Sequence, residues 1–313
     1  ILMKNLSIAA LALMSTSAFA TDARVAAHQG NAGLSDDTAY RTYFSRTDNG
    51  KDSMWFDLSN MPGDETGAGA GSGILSGAYK ADGRSMTLAQ SAAGSTAIGY
   101  YAADGDTGYA VTLDVTSKDA INIGGGYGMT NGDTDMAFGG NIAKTEDGQN
   151  VTASVASRTL TKKEVTAWGA DLGYVDKGVN IDARYAMGWR FKTDRSKASV
   201  TLGPNANIFK PEEGDMSIGL TLAEFNIAGE FALNDWFGLR GSVVSGLDAV
   251  VPTGDEKFDV MTTGVSPMFG ASLDFEGADI DLVIDPNNVM NGPYFLSGAS
   301  SAPAMMMSAR FDI

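Results

Sequence analysis

From about residue 70 to the last residue, apolar and polar side chains alternate with a period of two, in runs the length of strands. Phe225, Ile227, Gly229, Phe231 and Leu233 are set against Glu224, Asn226 and Glu230, and Phe237, Leu239, Gly241 and Val243 against Arg240 and Ser242. Val265–Phe275 sets Phe269, Ala271, Leu273 and Phe275 opposite Ser272 and Asp274, and Ile280, Leu282 and Ile284 alternate with Asp279, Asp281 and Asp285. Residues two apart share one face of a strand, so each run has an apolar and a polar face. Weaker runs of the same kind are Thr96–Ala102, Gly108–Val115, Ala120–Tyr127, Thr134–Thr145, Val165–Val175, Val179–Phe191 and Ala198–Gly203. Between the runs sit Asp82-Gly83, Asp104-Gly105-Asp106, Thr130–Asp135, Asp147-Gly148 and Asn234-Asp235, the residues that tight hairpins require. No helical period intervenes. The spacing predicts an all-β chain of antiparallel hairpins.

Such a sheet has two ways to hide its apolar face: against a second sheet in a soluble sandwich, or against lipid in a membrane barrel with a wet lumen. Charges recur inside the runs at Asp171, Asp182, Arg184, Arg190, Glu230, Arg240, Asp274, Asp279, Asp281 and Arg310, which makes these the candidate lumen-facing residues. Tyr100, Tyr174, Trp189, Trp236, Phe237, Tyr294 and Phe295 fall near the run ends, where a membrane barrel carries its aromatic girdles. The closing run alternates Met305, Met307, Ala309, Phe311 and Ile313 with Ser308, Arg310 and Asp312. That ending is similar to the assembly signal of outer-membrane barrels, carried here by Phe311 and Ile313. The expectation is a transmembrane β-barrel of about 12–16 antiparallel strands with an irregular N-terminal segment.

The first residues read as an address. Lys4 precedes the apolar run Leu6–Met14, and Ala18 and Ala20 sit where a signal peptidase needs small residues. The run is far shorter than the ~20 residues of a spanning helix. Residues 1–20 are therefore expected to be a cleaved signal peptide. Intact mass of the exported protein should place Thr21 first, and a mature chain retaining Lys4 would refute this. Residues 21–73 read as a polar leader ending in the Gly/Ala linker Gly63–Gly73, lying inside the barrel or leading into it, and residues 74–313 as the barrel.

Within the leader, Asp22–Arg46 (DARVAAHQGNAGLSDDTAYRTYFSR) resembles the opening of the long-chain fatty-acid transporter group and related outer-membrane porins. Gly30, Gly33, Asp36, Asp37, Tyr40 and Tyr43 carry the likeness. The resemblance implies a porin-like barrel with an N-terminal segment in its lumen.

Composition removes most chemistry. The chain has no Cys and one His, which excludes thiol nucleophiles, thiolate zinc sites and multi-histidine metal centres. His28 has no Gly-x-Ser-x-Gly partner elsewhere, so no catalytic residue, cofactor or metal is expected. Asn131, Asp133 and Asp135 have calcium-loop spacing, but Met136 stands where Gly is needed, and a turn is the better reading. Gly124-Gly125-Gly126 and Gly128 fit a kinked strand. Met305–Met307 reads as packing or lipid contact. A net charge of −16 disfavours nucleic acid and, in a lumen, disfavours anions. The function expected is porin-like passage of small solutes or a ligand through the outer membrane. Its expected partners are outer-membrane lipid, the barrel-assembly machinery and a second copy of the chain. The alternatives are a structural envelope protein that oligomerises with its pore blocked, and a secreted soluble β-sandwich.

Overall fold

The computed structural model describes residues 31–34, 43–48, 52–60, 74–91, 95–117, 120–145, 148–175, 177–214, 216–250, 259–284 and 305–313. Its strands are β1 (Ser53–Asn60), β2 (Ile74–Ala81), β3 (Arg84–Ser91), β4 (Thr96–Asp104), β5 (Thr107–Ser117), β6 (Ala120–Asn131), β7 (Thr134–Thr145), β8 (Gly148–Leu160) and β9 (Glu164–Val175). They continue with β10 (Gly178–Lys192), β11 (Ser196–Pro211), β12 (Ser217–Ala232), β13 (Phe237–Val250), β14 (Asp259–Thr262), β15 (Ser266–Phe275), β16 (Ala278–Ile284) and β17 (Met305–Asp312). Each pairs antiparallel with its sequence neighbours, except that β14 and β15 lie along successive parts of β13 and make one stave. β17 then pairs with β1 from Ser53↔Asp312 onward, closing a barrel of 16 staves. Closing a sheet into a barrel removes its two edge strands.

Turn chemistry sets the hairpins. Asp82 and Gly83 both adopt positive φ (51° and 68°), the pair of left-handed residues a type I′ turn demands. Connections at this end of the barrel are uniformly short, at 82–83, 105–106, 132–133, 161–163, 193–195, 233–236 and 276–277. The opposite end carries the longer intervals 61–73, 251–258 and 285–304. Bacterial outer-membrane barrels keep their short turns on the periplasmic side.

The wall is apolar outside and polar inside. On β5, Tyr109, Val111 and Leu113 are exposed on the outer face, while Gly108 and Ala110 are buried on the inner one. The same parity runs through β10, where Ile181, Tyr185, Met187, Trp189 and Phe191 point outward and Asp182, Arg184 and Arg190 share the other face. An inverted sheet of this kind, greasy toward its surroundings, is stable where the surroundings are lipid.

Three sequence boundaries move. β1 lies inside the segment assigned to the leader, because SMWFDLSN alternates over only 8 residues and is cut off from the other runs by 61–73. Ala198–Gly203 is not a short run but part of the 16-residue β11. Pro204 sits where the register with β12 shifts between Gly203 and Asn205, and that bulge breaks the alternation that would have extended it. Thr96–Ala102 grows to the 9-residue β4.

Candidate conducting lumen and its docked leader

The register carries all ten candidate lumen residues to one face. Asp171 faces Asp182 across β9 and β10, and Arg184 reaches Asp171 at 3.8 Å. Glu230 is matched to Arg240, whose Nε lies 3.3 Å from its carboxylate and whose Nη1 donates to Asp281. Asp274, Asp279 and Arg310 fall in one cross-strand row that continues to Trp55. Arg190 is opposite Ser199. Asp171 and Arg184 lie toward the long-loop end and keep 36% and 62% of their side-chain surface exposed, so that half of the lumen is open to water. Side-chain amides line the same wall, with Asn207 donating to Asn180 at 3.1 Å and Thr152 donating to Asn141.

Among the girdle candidates, Tyr174, Trp189 and Trp236 are exposed on the outside, Trp236 stacking near Phe237 with ring centroids 5.8 Å apart. Tyr100 sits on the outer face in mid-strand, one row from Tyr109, with centroids 6.2 Å apart. Tyr294 and Phe295 fall outside the described residues, as do His28 and residues 1–20. Phe311 is on the outer face against Phe56 (centroids 6.4 Å), and the Ile313 N–H donates to Asp52 at 3.2 Å.

In the short-turn half of the lumen, two described pieces of the leader lie against the wall. The piece 43–48 contains a 3₁₀ helix, Phe44–Asp48, and lies against β4, β5 and β6. Phe44 packs on the inner cluster of Trp55, Ala78, Tyr101 and Ala110, its ring 6.4 Å from that of Tyr101. The wall is hollowed to receive it. A Cβ on Gly108 would overlap the Phe44 carbonyl and the Ser45 amide, and one on Gly126 would overlap the Phe44 ring. Gly128 also borders the Phe44 backbone. Gly108 on β5 and Gly126 and Gly128 on β6 thus form a seat where the leader approaches the wall closely.

Beyond the seat is a buried charge cluster. Asp135, 0% exposed, accepts from Arg46 Nε at 2.6 Å, from Thr130 Oγ1 at 3.0 Å and from Arg158 Nη2 at 3.3 Å. Ser45 Oγ is 2.8 Å from Thr130 Oγ1, and the Arg158 guanidinium lies 4.6 Å from the centre of the Tyr43 ring. Burial pushes the Tyr43 phenol above its ordinary range, with Arg158 pulling the other way. Asp135 therefore serves two arginines, one on the wall and one on the leader. The piece 31–34 docks on a different part of the wall. Asn31 donates to the Asn226 carbonyl and side chain at 3.2 and 3.0 Å, and Arg190 Nε donates to the Gly33 carbonyl at 2.6 Å. Sequence reading missed Arg46, Asp135 and Arg158 as partners: they meet across 89 and 23 residues, and no local pattern reports such a contact.

No family model matches the chain, and no curated protein does. Among solved structures, it is similar to a bacterial polysaccharide outer membrane secretin (TM-score 0.56, 8% identity, 85% of this chain and 99% of that one). It is also aligned with a mutant of the Rh. blastica porin (0.43, 11%, 84% and 99%) and with the outer-membrane-expressed OmpT of Vibrio cholerae (0.43, 8%, 84% and 95%). None of these lends support to the fatty-acid transporter resemblance. Of the residues that carried it, Gly30, Asp36, Asp37 and Tyr40 lie outside the described residues. What the chain shares with the secretin is its fold, that of an outer-membrane β-barrel.

Proposed function

We propose that the protein is a porin-like channel for passive passage of small hydrophilic solutes across the outer membrane, with cations preferred over anions. The observation that supports this best is the sorting of charge: carboxylates, guanidinium groups and amides line the inner face while the outer face is apolar. A structural barrel has no need of a wet interior; a channel does. Asp171 and Asp182 face each other across neighbouring strands in the open half, where Arg184 answers only one of them closely. Passage of this kind involves no catalysis. Residues 1–20 would direct export, and lipid, the assembly machinery and a second copy of the chain are the partners this reading calls for.

Purified barrel in a planar bilayer under a salt gradient should give a reversal potential of cation-selective sign. Replacing both Asp171 and Asp182 with Asn should move the permeability ratio toward unity with unit conductance largely kept. Anion selectivity in the unaltered protein would refute the reading. Absence of any current, with a detergent-resistant oligomer, would favour the structural alternative, which the docked leader makes a real competitor.

A further inference from the structure

We propose that the leader segment Tyr43–Asp48 is a releasable gate of the short-turn mouth, latched by Asp135. The proposal rests on the channel reading and adds a closed and an open state to it. Three features carry it. The first is the seat: Gly108, Gly126 and Gly128 leave room that Phe44 occupies, so docking is specific to this segment. The second is the latch. Arg46 is the leader's charged contact with the wall, and Asp135 holds it through one short bond while keeping Arg158 as a second partner. When Arg46 leaves, Asp135 stays paired, so release strands no carboxylate.

The third feature is the chemistry of the covered wall. Behind a permanent plug the inner face would be expected to resemble a protein core. Here, beside the apolar patch of Trp55, Ala78, Tyr101 and Ala110, it carries Ser85, Thr87, Ser157, Ser199, Thr201 and Ser242, all buried. Under the neighbouring leader piece 31–34, nothing among the described residues hydrogen-bonds the Ser199 or Ser242 hydroxyl, and Ser199 lies where a side chain on Gly33 would fall. Buried hydroxyls without partners weigh against the docked state and are relieved once water reaches them. The wall is built for a wet channel that the leader covers. The contacts that hold it are Phe44 in its seat and the directional bonds of Ser45 and Arg46 to Thr130 and Asp135, a small set that suits an element with two discrete positions.

The chain has no cysteine, so an introduced pair forms an unambiguous crosslink. Ser45→Cys with Thr130→Cys replaces two hydroxyls 2.8 Å apart, close enough for a disulfide. In planar bilayers the oxidised protein should pass little current, and reduction should raise it several-fold. Gly108→Val is an independent release, since the atoms nearest its new Cβ all belong to Phe44 and Ser45 rather than the wall. It should conduct like the reduced protein and become cleavable by trypsin after Arg46. Equal currents before and after reduction, with the unaltered protein conducting fully, would overturn the gate and leave the channel standing. No current from any variant, Gly108→Val included, would overturn both.

Discussion

Barrels carrying Val111→Arg will lose about 2–4 kcal/mol of folding free energy in vesicles, whereas Thr112→Arg, one residue on, will lose little. Val111 sits in the middle of β5, 55% exposed on the outer face, between Tyr100 on β4 and Gly125 on β6. If that face meets hydrocarbon, a guanidinium there must be desolvated or drag water and headgroups toward the midplane. Thr112 points the other way, into the polar lumen, where a longer charged side chain can reach water. In a secreted soluble sheet the ranking would reverse: an arginine on an exposed face costs almost nothing, within about 0.5 kcal/mol, and one on the inner face costs more. Urea titration of folding into lipid vesicles, followed by tryptophan fluorescence, reads both variants. Equal losses, or a larger loss at Thr112, would end the membrane reading.

That prediction draws on the part of the molecule that was legible from the sequence. Alternation has a period of two because a pleated strand does, so Phe225, Ile227 and Phe231 announce their common face without any tertiary information. The hairpins were equally local: Asp82 and Gly83 take positive φ because few other pairs can. Charge on the polar face followed, and Asp171, Asp182, Arg184 and Glu230 share it because parity leaves them no choice. Legibility failed wherever the rule was interrupted or the cause was remote. Pro204 and the shift between Thr221 and Ala223 reset the alternation of β11 and β12, so the longest strands looked short. β1 was hidden in the leader because its partners are β2 and β17, the second of which lies some 260 residues away by register (Ser53↔Asp312). Gly126 and Gly128 were read as a property of their strand, whereas both border Phe44 of the leader. Asp135 was weighed only against Asn131 and Asp133, its neighbours in sequence; its neighbours in space are Arg46, Thr130 and Arg158.

Asp135 also separates the stability of the wall from the docking of the leader, and the two respond oppositely to the same pair of substitutions. Asp135→Ala alone removes the carboxylate that answers Arg158, whose side chain is only 8% exposed, and Arg46 as well. An uncompensated buried guanidinium makes such a change expensive, about 3–5 kcal/mol. Asp135→Leu combined with Arg158→Met removes both wall charges and fills the space with apolar groups of similar size. A buried ion pair gains little over a well-packed apolar pair once desolvation is counted, so the double variant should recover most of the lost stability in a urea titration. Cycle analysis should then show strong coupling between the two positions, of the size seen for residues in direct contact. The leader gains nothing from that repair. Arg46 now faces Leu and Met in place of an acceptor, and Tyr43 loses the cation above its ring. The double variant should therefore unfold like the unaltered barrel yet conduct like the reduced Ser45→Cys/Thr130→Cys protein. Recovery of stability together with recovery of the low-current state would mean that Phe44 and its glycine seat hold the leader unaided, and that Asp135 is a strut of the wall alone.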